Sequence, residues 1–179
     1  MKVKRTQKIF FYALSLLIIT AHLGYALELH TRYSIIVYNE DKELEMFNEG
    51  IYLGKYNFLL QREGIRDVSD EVMLKTDFIY DRVSEILDIY PEGRKVKIII
   101  CSSVAELQMI HERIYGHPID SEAFYAPEIE VLFLTATSVE LATVAHEFAH
   151  VVMQKYFREA PPVKIHELLS RYVARHIKD

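Results

Sequence analysis

Apolar and polar positions change their period several times along the chain, and each change predicts an element. From Ser69 to Tyr90 the residues Val72, Phe78, Ile79, Val83, Ile86, Leu87 and Tyr90 recur at helical spacing with charges between them, and Pro91-Glu92-Gly93 ends the run. Two stretches rich in β-branched and aromatic residues, Leu29 to Tyr38 and Lys95 to Cys101, are expected strands. A short helix over Asp41 to Asn48 follows the first of them. Glu49 to Arg66 mixes Gly50, Gly54 and Gly64 with aromatics and shows no period, so loop with extended pieces is expected there. Ser102-Ser103 offers N-caps for a helix over Val104 to about Tyr115, broken at Gly116-His117-Pro118. Phe124 to Ala126 and Glu128 to Leu134, divided at Pro127, are expected to form a bent strand or hairpin. Thr137 with Glu140 makes a capping box for a helix from Ser138 to about Phe157, and a last helix opens at Pro161-Pro162 and runs to about Lys178. Strands and helices in this order describe a single α+β domain.

The amino terminus stands apart from that domain. Lys2, Lys4, Arg5 and Lys8 precede an apolar stretch from Ile9 to about Leu23, and Gly24-Tyr25-Ala26 supplies small residues ahead of a cleavage point, the pattern of an export signal over residues 1–26. The same stretch is close to the ~18 apolar residues of an uncleaved membrane anchor. On either reading residues 27–179 are expected outside the cytoplasm, periplasmic or secreted, with membrane contact only if the segment is retained. Its removal takes away four basic and no acidic residues and moves the net charge from −5 to −9. So acidic a domain is not expected to bind nucleic acid. The one cysteine, Cys101, excludes an internal disulfide and reads as a small buried hydrophobe at the end of the apolar run Val96 to Ile100.

The chemistry concentrates in the penultimate helix, where the chain reads His146-Glu147-Phe148-Ala149-His150, an HExxH pattern. Residues at i and i+4 share one helix face, so both imidazoles reach a single ion, and Glu147 beside them is the candidate general base. The flanking Leu141, Val144, Ala145, Phe148, Val151 and Val152 make this helix apolar nearly all round. Two histidines and a glutamate are costly to bury there without partners, and a metal supplies one. The pairs His111-Glu112 and His166-Glu167 have Tyr115 and Ser170 where a second histidine would stand. A catalytic zinc wants a third protein ligand, and Glu167, 17 residues beyond His150 on the next helix, is the candidate. His166 is the competing ligand. No His-x-x-Gly-x-x-His continuation follows the first pair, so His166 is read as a supporting or surface residue.

This combination resembles the gluzincins of the zincin superfamily, in which HExxH is followed by a second helix bearing a glutamate ligand. More closely, Ile98 to Tyr172 is similar to short bacterial peptidase-MA-like domains. Those domains run strand, helix, tyrosine-containing edge strand, active-site helix and a final helix, here Pro162-Val163-Lys164-Ile165-His166-Glu167-Leu168-Leu169-Ser170-Arg171-Tyr172. The resemblance implies a zincin-like fold with a small mixed sheet and one zinc ion held by His146, His150 and Glu167. It further implies an endopeptidase whose extended peptide or protein substrate lies along the edge strand near Phe124 to Ala126. There zinc would polarise the scissile carbonyl and Glu147 would take the proton of the attacking water. Tyr125 and Tyr172, with His166 or His176 behind them, are the candidate oxyanion donors. The chain departs from its relatives at Lys164, where Trp is frequent, and at Leu168, where Gly is frequent. It departs again at Arg171, where thermolysin-like members keep an acidic residue behind the first histidine. These departures leave an alternative open, an exported zinc-binding module without catalysis.

Overall fold

The computed structural model describes residues 26–61, 64–159 and 161–179; the export signal expected over residues 1–26 lies, save its last residue, outside them. The run expected as one strand from Leu29 to Tyr38 folds back on itself. β1 (Leu27–His30) and β2 (Ser34–Tyr38) pair antiparallel, with Leu27 opposite Tyr38. Polar groups in the middle of the run cause the reversal. Thr31 Oγ1 accepts from the N–H groups of Tyr33 (3.2 Å) and Ser34 (2.9 Å). The Asp77 carboxylate, far away in sequence, accepts from those of Arg32 and Tyr33.

β2 leads into α1 (Asp41–Gly50) and then into a 3-10 helix (Gly54–Gln61) where loop and extended pieces were expected. Contacts from outside hold that segment, which is why no period announces it: Tyr56 packs on Phe78 with ring centres 4.9 Å apart, and Lys55 Nζ bonds the Asp179 carbonyl. α2 (Val68–Leu87) is capped by the Asp67 carboxylate, which accepts from the Asp70 N–H at 3.0 Å. It ends at Asp88, left-handed at φ 54°, ahead of the proline expected to stop it.

β3 (Val96–Cys101) lies parallel to β2. α3 (Val104–Tyr115) follows, with Ser103 Oγ accepting from the Glu106 N–H while the Glu106 carboxylate accepts from Ser102, a reciprocal cap. Of the bent strand or hairpin expected, the hairpin forms: β4 (Ala123–Ala126) and β5 (Val131–Thr135) pair antiparallel, residues 128–130 lie in the turn rather than the strand, and β5 runs parallel to β3. The result is an α+β fold on a five-stranded mixed sheet of order β1-β2-β3-β5-β4, with β4 at one edge.

One face of the sheet, through Ile36, Ile98, Leu132 and Leu134, is covered by α1, α2 and α4 (Leu141–Tyr156); the other, through Cys101, Phe124 and Phe133, is covered by α3. α5 (Val163–His176) lies on α4. α4 starts later than the capping box predicts. The β5 ladder carries on to Ala136, whose N–H donates to the Cys101 carbonyl at 2.8 Å, so the residues after it must turn before a helix can form. Ser138 Oγ bonds Thr135 Oγ1 there (3.0 Å), and the N-cap is Glu140 with no side-chain cap bond. No helix among the described residues is long and apolar enough to cross a membrane.

Candidate metal centre

α4 carries the HExxH residues because almost every other position on it is needed by the core: Leu141, Val144, Ala145, Phe148, Ala149, Val151, Val152 and Met153 are all buried. The turn that this embedding leaves open holds His146 and His150, whose Nε2 atoms stand 3.2 Å apart. α5 returns across α4 and brings Glu167 to them, Oε1 at 3.5 Å from His150 Nε2 and Oε2 at 3.8 Å from His146 Nε2. One donor atom from each of the three residues lies within 4.8 Å of the others. Tetrahedral zinc with bonds of about 2.0–2.2 Å separates its donors by about 3.3–3.6 Å. The observed spacings bracket that range, so the three residues fit a metal ion of that size.

The charge states suit the same task. Burial pushes the His150 imidazole down to about 4, with His146 and His166 adding to the effect, and burial likewise lowers His146. Both rings are therefore neutral near pH 7, the form that ligates, and the Glu167 contacts are donors gathered round a point rather than ion pairs. Beside them Glu147 is only 8% exposed. Burial raises its carboxyl to about 7, Glu167 adds to the rise, and a hydrogen bond from the Tyr125 backbone N–H to Oε2 (2.9 Å) opposes it. A carboxylate poised there takes up and releases protons near neutrality.

No protein-family model, curated protein or solved structure matches the chain.

The site lies in a cleft of about 590 Å³ that wraps the edge strand β4, from His146, Glu147, His150 and Glu167 on one side to His111 and His117 on the other. Of the two tyrosines weighed as oxyanion donors, Tyr125 lines this cleft, and burial raises its phenol so that it keeps its proton. Tyr172 is half exposed on the outer side of α5, stacked on His176 at 4.1 Å, and neither residue lines the cleft. Arg171 Nη2 reaches to 3.9 Å from Glu167 Oε2 and is largely solvent-exposed. His166 is brought against His150, Nδ1 to Nδ1 at 3.1 Å. The hold of Tyr125 on Glu147 escapes sequence reasoning because it is made by a backbone N–H, which no residue type advertises.

Proposed function

We propose that the chain is an exported zinc-dependent endopeptidase of the gluzincin type, with a zincin-like arrangement of α4 and α5 against a mixed sheet. The observation that carries this reading is the buried carboxylate of Glu147, one residue from His146 and facing the same cleft as the three-donor group. His146, His150 and Glu167 would hold the zinc ion. Bound there, it would supply Lewis acidity, polarising a peptide carbonyl and making water beside it easier to deprotonate. Glu147 accepts the proton of the attacking water and returns it to the leaving nitrogen as the C–N bond breaks. Tyr125, through its N–H, keeps that carboxylate in place. The edge strand β4 offers an extended peptide a strand to lie against. Export rests on the basic and apolar pattern of residues 1–26.

A second reading, zinc binding without catalysis, is favoured by Arg171 approaching the Glu167 carboxylate, where thermolysin-like relatives keep an acidic residue. Zinc content and peptide-library cleavage, measured together for the native and Glu147→Gln proteins, separate the two. Zinc in both and cleavage only by the native protein is the expected result. Zinc in both with cleavage by neither selects the second reading, and absence of zinc from both sinks the two together.

A further inference from the structure

We infer that His166 is a positioning residue for His150: it accepts a hydrogen bond from His150 Nδ1–H and so holds that ring in the tautomer whose Nε2 lone pair faces the metal position. The inference rests on the zinc reading above. A neutral imidazole carries one proton, so a ring that gives its Nε2 lone pair to a metal must carry the proton on Nδ1 and place it somewhere. For His150 the partner within reach is His166 Nδ1, at 3.1 Å.

The ring geometry fits a hydrogen bond rather than face-to-face stacking. The planes are inclined by only 17°, and the ring centres are 5.4 Å apart. That separation is the 3.1 Å contact plus about one ring radius at either end. The two imidazoles therefore meet nitrogen to nitrogen, edge to edge and nearly in one plane.

Accepting at Nδ1 places the His166 proton on Nε2. That atom is buried without a partner, and so is Ser170 Oγ, one turn further along the same face of α5. His146 has no counterpart to this arrangement among the described residues: its contacts, with His150 Nε2 at 3.2 Å and Glu167 Oε2 at 3.8 Å, are both made through Nε2. Arg171, four residues after Glu167, carries only donors and supplies no acceptor. Support for the histidine pair thus falls on His150, through an imidazole adjacent in the chain to Glu167.

Zinc affinity by chelator competition is the test, on the native full chain, His166→Phe and His166→Asn, together with nitrogen-15 NMR of the imidazoles in the zinc-loaded native protein. His166→Phe keeps a ring of similar size without an acceptor and is expected to weaken zinc binding by about 10–100-fold. His166→Asn, whose amide oxygen stands near the position of Nδ1, is expected to restore most of that loss. The NMR should show the His150 proton on Nδ1, with coupling to His166 across the hydrogen bond. A folded His166→Phe protein with native affinity overturns the role and leaves the zinc reading standing. So does an Asn variant as weak as the Phe variant, which would mean the ring matters only for packing. If His166→Phe does not fold, the native NMR decides, and a His150 Nδ1 without its proton overturns the inference. A native chain that takes up no zinc overturns both readings.

Discussion

The two helices that supply the candidate ligands are embedded in opposite ways. α4 is surrounded by core on nearly every side, with Phe148, Ala149, Val151, Val152 and Met153 fully buried. α5 touches the protein along one face, burying Ser170 and Val173, and turns Ile165, Leu168 and Tyr172 outward at 46%, 63% and 50% exposure. The imidazoles are thus fixed by the packing of the whole domain, whereas the Glu167 carboxylate is only as well placed as a one-sided helix is docked. A metal between them would act chiefly on the second helix.

The sharpest break in this comparison comes from truncating each helix. Phe148→Ala is expected to cost about 3–5 kcal/mol in denaturant unfolding, the range for a buried aromatic, and Leu168→Ala less than about 0.5 kcal/mol. Similar costs for both would erase the distinction. The carboxylates differ likewise. In the metal-free protein Glu147 has a folded pKa of about 7 against an ordinary 4.5, so its folded form holds a proton that the unfolded chain gives up first. The stability it contributes is fully present below about pH 4.5 and is lost as pH rises through about 7, a swing of about 3 kcal/mol. Glu147→Gln should therefore stabilise the metal-free protein by up to that amount above pH 7 and by nothing below pH 4.5. Glu167→Gln, half-exposed at the mouth of the cleft, should shift stability at pH 7 by less than about 0.5 kcal/mol. Unfolding titrations across pH check the pair, and a pH-independent difference for Glu147→Gln would mean that its carboxylate is hydrated. Zinc itself is expected to add about 2.7 kcal/mol at 100-fold excess over the dissociation constant. It should slow amide exchange in α5 more than in α4 and be absent from His150→Ala; equal slowing in both helices would show that α5 is already as firmly held.

What could be read from the residues alone is what short range encodes. The HExxH spacing places His146 and His150 on one helix face whatever surrounds them, and Ser103 and Glu106 cap α3 within a few residues of each other. Where distant groups decide, the pattern misleads. The hairpin between β1 and β2 depends on Asp77, and the start of α4 depends on how far β5 stays hydrogen-bonded to β3. Glu167 was recognisable from its position on the following helix. The contact of His166 with His150 was not, because a supporting and a surface histidine have the same neighbours in the chain.

Glu147 is carried by a helix yet fastened to a strand, through Tyr125. With Oε2 tied in this way, Oε1 is the oxygen not committed to the strand, so in the proposed role hydrogen would arrive and depart through a single port. The sheet margin, not rotation about the side chain, would then dictate the approach open to an incoming molecule.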